Sequence, residues 1–465
     1  MRRESASKYR RNKVTVLEKN ARRARCRSPR GPGPAGAIDD RNLWIRRDRS
    51  LARRATPRTA RTTMSAMSVA SSVLARPSLA RRAFGLAPRR ASRAPRRAAS
   101  VRVAAAASSK SKPSTDPLAL TVGKDTLETF LFKQQARDNV DVDLSIIINS
   151  IAVACKKISS LVATAPIRGL TGMAGSSNES GDEQKKLDVI SNDIFCECIK
   201  DTARSAIVVT EEEDVPVASE AISGDYIVTF DPIDGSSNID AAVTTGSIFG
   251  IYSPGECEVS LDDTPEEAMD KCLVNTRKSG EELVCAGYVM YSSSTVAMIS
   301  VGHGVYGFTL DWTTGDFVLS HDDVKLPNPG QKIYSGNQGN VEKWAPELRK
   351  YVDKLQEENY SYRYIGALVG DFHRTLLYGG IWLYPPDASA PEGKARLLYE
   401  VAPMGFLAEQ AGGLAMWGEM ADKRVMEVVP QHIHQRSPMF CGSKDMVEGL
   451  QKFLVEEKAR ATVKA

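Results

Sequence analysis

Asp231 and Asp234 stand three positions apart around Pro232 in the run FDPIDGSSNID, residues 230–240, with Gly235, Ser236, Ser237 and Asn238 directly after them. The run is entered from the apolar segment Tyr226-Ile-Val-Thr-Phe230, which reads as a buried strand breaking into a tight turn. The two acids are therefore expected at a strand tip. Pro232 fixes the backbone between them, Gly235 permits a conformation closed to other residues, and Ser236 or Ser237 can cap a following helix, whose N-terminus attracts phosphate. Two carboxylates beside a phosphate repel it unless a divalent cation lies between, so the stretch points to metal plus phosphate rather than either alone. Taken in isolation, a solvated Asp/Gly turn accounts for the same residues equally well.

Other acids shift that balance. Asp182 and Asp188 bracket GDEQKKLD, Glu211 and Glu212 open TEEED at the end of the apolar run AIVVT, and Glu400 closes ARLLYE. Each is expected at a strand end or beside a helix start, and strand tips on one edge of a sheet bring their carboxylates within a few ångströms. Oxygen ligands without His or Cys select Mg²⁺ or Mn²⁺ over zinc.

The elements that must position these acids can be read from periodicity. DLSIIINSIAVACKKISSLVAT carries Leu144, Ile147, Ile148, Ile151, Cys155, Ile158 and Val162 at helical spacing, and EQKKLDVISNDIFCECI forms a second helix. Strand-like AIVVT, YIVTF, SIFGIY and the long ELVCAGYVMYSSSTVAMISV follow. Beyond HDDVKLPNPG, helix and strand alternate through VEKWAPELRKYVDKL, YRYIG, GDFHRTLLYGG, IWLYP, ARLLYE and KDMVEGLQKFLVEEK. Two domains meeting at a cleft are expected, residues 113–325 and 326–465, in an α/β (α+β layered) arrangement.

The net charge of +5 over 465 residues conceals an asymmetry. The first 112 residues hold 31 Lys and Arg against 5 Asp and Glu, leaving about −21 for the remainder. A nucleic-acid-binding role is thereby disfavoured. From Met64 the chain is rich in Arg, Ser and Ala and free of acids up to the start of the folded part, which is transit-peptide composition, with a basic RNA- or membrane-binding arm as the alternative. The stretch before Met64 lacks this signature, so Met64 or Met67 is the expected start. No apolar run is expected to span a bilayer. The eight cysteines are scattered and form no zinc ligand set; Cys196 and Cys198 read as buried free thiols on a helix.

FDPIDGSSN with TEEE upstream and LLYE downstream resembles the lithium-sensitive, metal-dependent phosphatase superfamily. GDEQKKLDVISND, YSGNQGN, RYIGALVGDFHRTLLYGGIWLYP and GKARLLYEVAPMGFLAEQAGG narrow the resemblance to class I fructose-1,6-bisphosphatases, from about Asp125 to the C-terminus. The resemblance implies a two-domain fold of alternating helix and sheet layers and Mg²⁺-dependent hydrolysis of the 1-phosphate of fructose 1,6-bisphosphate within carbohydrate synthesis and the Calvin cycle. It assigns the metal to Asp182, Asp188, Glu211, Glu212, Asp231, Asp234 and Glu400 with the Ile233 carbonyl. Glu212, Asp188 or Asp182 would handle the attacking water. Gly235, Ser236, Ser237 and Arg396 would lie at the 1-phosphate, beside Asp234, while Asn337, Tyr364, Tyr384 and Lys394 would hold the sugar and 6-phosphate. Arg363 would reach a neighbouring subunit, implying a homotetramer. Asp371, His373 and Arg374 read as helix and packing residues.

The resemblance also marks departures. AMP-sensitive members carry a phosphate pocket at the first long helix, where this chain has Asp141 and Asp143, a Lys before the Tyr of the strand feeding the aspartates, where it has Asp225, and an Arg where it has Ser253; inhibition by AMP is not expected. ECEVSLDDTPEEAMDKC, within the loop 254–280, resembles the insertion of the thioredoxin-regulated chloroplast form. It retains Cys257 and Cys272, with Arg277 at the place of a third cysteine, which implies a Cys257–Cys272 redox disulfide, thioredoxin as partner and the chloroplast stroma as location. Two solvent-exposed free thiols are the plain alternative. Sedoheptulose-1,7-bisphosphatase activity, or a non-catalytic sugar-phosphate-binding regulator, are the rival functions.

Overall fold

The computed structural model describes residues 116–464 except 178–182, 219–225 and 254–275. The described residues fall within one compact unit, 102–465. The expected leader, Asp182, Asp225, Cys257 and Cys272 lie outside them.

Helix α1 (Leu127–Ala136) starts where the Thr126 side chain accepts the Thr129 N–H. Helix α2 (Val142–Arg168) starts at Asp141, whose carboxylate accepts the Leu144 N–H at 2.7 Å, and ends at left-handed Gly169. Leu144, Ile147, Ile148, Ile151, Cys155 and Ile158 are all buried, as their spacing requires. By length and composition α2 is apolar enough to cross a membrane, contrary to the sequence expectation, but its apolar face packs into the core. Strand β1 (Met173–Ser177) pairs with β2 (Glu183–Lys185), which runs directly into helix α3 (Lys186–Lys200).

The first sheet is built from β3 (Ser205–Thr210), β4 (Val217–Ala218), β5 (Tyr226–Asp234), β6 (Thr245–Tyr252), β7 (Leu283–Tyr291), β8 (Thr295–Ser300), β9 (Tyr306–Asp311) and β10 (Asp316–His321). Its order is β10-β9-β8-β7-β6-β5-β3-β4, and β3 and β5 run parallel. The long run expected after the acidic loop is the β7–β8 hairpin.

The second part of the chain supplies β11 (Ile333–Ser335), helix α4 (Pro346–Glu357), β12 (Ser361–Tyr362), helix α5 (Leu368–Tyr378), β13 (Ile381–Tyr384), β14 (Ala395–Arg396) and helix α6 (Ala402–Gln410). It continues with β15 (Leu414–Trp417), β16 (Lys423–Arg424), β17 (Arg436–Ser437), β18 (Met439–Gly442) and helix α7 (Lys444–Lys464). The second sheet has the order β12-β11-β13-β18-β15-β16.

Side chains alternate across each strand and so feed two layers at once. In β5, Val228 and Phe230 join Ile147 and Phe195 against α2 and α3, while Ile227 joins Phe372 and Met404 on the opposite face. That second cluster fills the space between the sheets around α5 and α6. A third, with Leu348, Tyr351, Phe440 and Leu450, seats α4 and α7 on the outer face of the second sheet. The result is the expected alternation of helix and sheet layers.

Candidate functional site

Because β3 and β5 are parallel neighbours, their C-terminal ends deliver acids to one place. Thr210 pairs with Phe230, and the Glu211 N–H donates to the Phe230 carbonyl at 3.3 Å, which brings Glu211 and Glu212 beside Asp231. Residues three apart on a regular strand point to opposite faces. Asp231 and Asp234 nevertheless pair with Ile248 and Gly246 of β6, three steps on one strand against two on the other, so a bulge at Pro232–Ile233 absorbs a residue and turns both acids to the same site. Gly235 follows at φ 74°, where a Cβ would come within 2.7 Å of the Ala367 side chain, so glycine is required for both the backbone and the close approach. Gly235 itself occupies the cap position of the short 3₁₀ turn Ser236–Ala241; neither serine makes the side-chain cap expected of it, because the turn begins one residue early.

Glu400 arrives on a π-helical turn, Leu397–Val401, rather than at the end of a strand. LLYE is buried on all sides, and such a run cannot be told from a strand by periodicity. The Glu400 carboxylate accepts the Arg396 N–H, and a carboxylate oxygen from each of Asp231, Asp234 and Glu400 can lie within 4.8 Å of the others. Asp188, on the first turn of α3, accepts the Lys185 N–H at 2.7 Å through Oδ2, while its buried Oδ1 has no hydrogen-bond partner among the described residues. Glu212 is held from the other side by the Gln184 amide.

These acids wall a cavity of about 180 Å³ together with Gln184, Ile233, Gly235 and Ser236. Burial, with the charges of Glu211, Glu400 and Asp234, drives the Asp231 carboxyl well above the ordinary range. Burial and Glu212 push Glu211 up to about 7, against the lowering influence of Arg396; burial likewise lifts Asp188 to about 7 and Glu400 well above its usual value. Crowding so many carboxylates in one cleft is costly, whereas a hard divalent cation would neutralise them and could take the unpartnered Asp188 oxygen. The all-oxygen donor set fits Mg²⁺ or Mn²⁺.

A second cavity of about 170 Å³ shares Asp234, Gly235 and Glu400 with the first and extends past Tyr364, Tyr384 and Trp382. The structure thus brings both expected tyrosines to the acids. It does not bring Asn337, Lys394 or Arg363 to either cavity: Asn337 caps a 3₁₀ turn through Gly339, Lys394 faces Asp387 at 3.6 Å, and exposed Arg363 donates to the Tyr362 carbonyl. Ser237 is exposed, whereas Arg396 is buried and lowers the carboxyls of Glu211 and Glu400. A further cavity of about 590 Å³ lies between Trp344, Pro386, Trp417 and Arg436 and reaches none of these acids.

Three residues escaped the sequence reading. Gln184 sits inside the quoted GDEQKKLD, but nothing in the pattern distinguishes it from a surface glutamine. His434 spans the site's flank, its Nδ1 3.0 Å from the Tyr399 hydroxyl and its Nε2 3.1 Å from the Glu213 carbonyl. Asp371, expected to pack on a helix, is a hub of hydrogen bonds beside the second cavity.

Residues 125–322 match the family described as Fructose-1-6-bisphosphatase, N-terminal domain, and residues 327–455 match Fructose-1-6-bisphosphatase, C-terminal domain. A relative from Triticum aestivum named "Fructose-1,6-bisphosphatase, chloroplastic" is 52% identical over 339 residues, covering 71% of this chain and 82% of its own. One from Arabidopsis thaliana, "Fructose-1,6-bisphosphatase 1, chloroplastic", is 50% identical over 340 residues, 71% of this chain and 80% of its own. Among solved structures, Leishmania major fructose-1,6-bisphosphatase in holo form aligns with a TM-score of 0.66 at 39% identity, covering 72% of this chain and 99% of that one. With the bulged strand end, the gathered acids and these matches along both halves of the folded chain, the protein belongs to the fructose-1,6-bisphosphatase family.

Proposed function

We propose that this chain hydrolyses the 1-phosphate of fructose 1,6-bisphosphate to give fructose 6-phosphate and phosphate, in the chloroplast stroma. The observation that carries it is the cavity in which Asp188, Glu211, Glu212, Asp231, Asp234 and Glu400 converge, opening into one lined by Tyr364 and Tyr384. Those acids, with Asp182 and the Ile233 carbonyl, hold Mg²⁺, or Mn²⁺ in its place. Bound there, the metal neutralises phosphoryl oxygens, lowers the pKa of water and stabilises the leaving alkoxide.

The chain's own residues do the rest. Asp188 or Glu212 orients the attacking water and takes its proton, with in-line attack at phosphorus. Gly235, lacking a side chain, lets the backbone of Gly235-Ser236-Ser237 approach the reacting phosphate, and buried Arg396 adds positive charge. Tyr364 and Tyr384 hold the sugar and its distal phosphate; a role there for Asn337 and Lys394 rests on the resemblance alone. Exposed Arg363 is available to a neighbouring copy, in a homotetramer whose subunits each have two domains meeting near residue 326.

Regulation by a Cys257–Cys272 disulfide, opened by thioredoxin, is part of the proposal and rests on sequence. Oxidised protein is expected to need more Mg²⁺ than reduced, and equal requirements in samples whose disulfide state is verified by mass spectrometry would remove the switch. The activity itself is tested by Mg²⁺-dependent phosphate release from fructose 1,6-bisphosphate set against sedoheptulose 1,7-bisphosphate. A preference for the second sugar reassigns the substrate, and release from neither leaves a sugar-phosphate-binding protein.

A further inference from the structure

Residues 363–367 connect β12 to α5, and two buried carboxylates hold this connection from opposite ends. At its far end the N–H groups of Leu368 and Val369 donate to Asp234 of the acid cluster, at 3.0 and 2.8 Å. At its near end the acceptor is Asp371, only 1% exposed. Asp371 accepts the Ile365 N–H at 3.0 Å to each oxygen, the Gly366 N–H at 3.0 Å and the Ser335 hydroxyl at 2.8 Å. Arg374 Nη2 pairs with it at 2.6 Å and also donates to the Arg363 carbonyl at 3.1 Å.

A carboxylate offers about four lone-pair sites. Five contacts from within the protein therefore engage Asp371 fully, although it borders the second cavity. Its charge is paired with Arg374. What the connection presents outward is Tyr364, 39% exposed and stacked on Tyr362 at 6.5 Å between ring centres. Gly366, at φ 85°, turns the chain back immediately after it.

We propose that Asp371 is a positioning residue: by fixing the Ile365 and Gly366 N–H groups it holds the Tyr364 ring at the wall of the second cavity, and so sets affinity for the part of the substrate remote from the reacting phosphate. The assignment rests on the phosphatase function proposed above, with the scissile phosphate at the acids. Asp371 touches no substrate. Its loss loosens Tyr364, while the Asp234 end of the connection keeps its own bonds.

The experiment compares fructose 1,6-bisphosphate with fructose 1-phosphate, which lacks the distal phosphate, on wild type, Asp371→Asn and Arg374→Gln. For Asp371→Asn, KM for the bisphosphate is expected to rise about tenfold with kcat within about threefold, while kcat/KM for fructose 1-phosphate stays within about threefold. Arg374→Gln, whose side chain is 17% exposed against 1% for Asp371, is the milder change and is expected to raise the same KM about threefold with the same split. An unchanged KM in Arg374→Gln together with either an unchanged KM or failure to fold in Asp371→Asn would overturn the proposal. So would equal losses on both substrates. Wild type inactive on both would instead overturn the phosphatase reading, and this proposal with it.

Discussion

The Asp234 carboxylate accepts the Val369 N–H at 2.8 Å, so one side chain serves both the acid cluster and the first turn of α5. Its other oxygen takes the Leu368 N–H, and these two backbone bonds restrain a pKa that burial still lifts to about 6. Asp231 is placed differently. It accepts the Ile233 N–H at 2.9 Å, and Glu211, Glu400 and Asp234 all press on it.

Neutralising each should therefore separate stability from turnover. Asp231→Asn and Asp234→Asn are both expected to lose about a thousandfold or more in kcat, since each removes a ligand charge. Asp231→Asn also removes repulsion, so its metal-free melting temperature should match or exceed wild type, whereas Asp234→Asn weakens a helix cap and should lose about 1 kcal/mol. Thermal melts with and without Mg²⁺ read both effects: wild type gains stability on adding the ion and Asp231→Asn gains far less. Turnover within a few-fold of wild type in either variant would remove these residues from the metal site.

His434 links the loop that carries Glu212 to the turn that carries Glu400. The Glu213 carbonyl can only accept, so Nε2 bears the proton and Nδ1 accepts from the Tyr399 hydroxyl. His434→Ala should raise the Mg²⁺ concentration for half-maximal activity about tenfold, with a smaller effect on kcat at saturation. His434→Gln, which keeps one donor and one acceptor, should recover part of that shift. Mg²⁺ titrations followed by activity and by thermal shift check it, and an unaltered requirement in the alanine variant would contradict the link.

A pH effect is expected from His373, which lines neither cavity. Burial, with a contribution from His321, holds its imidazole down at about 4, and Nδ1 lies 2.8 Å from the Tyr288 hydroxyl. The unfolded chain titrates near 6.5, so between about 4 and 6.5 it binds more protons than the native state, and stability is lost as pH falls through this window. His373→Gln removes that loss. Relative to wild type it should gain on the order of 1–2 kcal/mol between pH 7 and pH 5, measured by urea denaturation. A difference independent of pH would show that the native imidazole titrates normally.

Millimolar AMP should leave activity unchanged. The α2 N-terminus, where a phosphate would need donors, already gives its Leu144 N–H to Asp141, which also takes the Tyr226 hydroxyl at 2.7 Å. Asp143 pairs with Arg204 at 2.9 Å. Inhibition by AMP that is noncompetitive with substrate would show that these donors can be released.

The convergence of the acids was legible because apolar runs such as AIVVT and YIVTF end abruptly in carboxylates, and parallel neighbours align their ends. The bulge at Pro232–Ile233 was not, since it depends on pairing with β6, and without it Asp231 and Asp234 would face apart. Burial of Cys196 and Cys198 followed from the preference of free thiols for the interior. Asp371 and His434 stayed hidden for a common reason: their partners lie up to 36 and 221 positions away, a distance local pattern cannot span. The apolar length of α2 was underrated, and composition alone does not say whether lipid or a sheet covers an apolar face.

The π-helical turn at Leu397–Val401 acts as an angular spacer. It carries more residues per revolution than an α-helical turn, and Arg396 and Glu400, four positions apart, meet across it. Deleting one residue there would restore ordinary helical winding and rotate the segment by about 100°, aiming the carboxylate at packed apolar side chains instead of the cluster. Exchanging Leu397 or Leu398 for another aliphatic residue changes only volume. The segment should therefore be rigid in length and permissive in composition, so that insertions and deletions, rather than substitutions, are the changes that silence it.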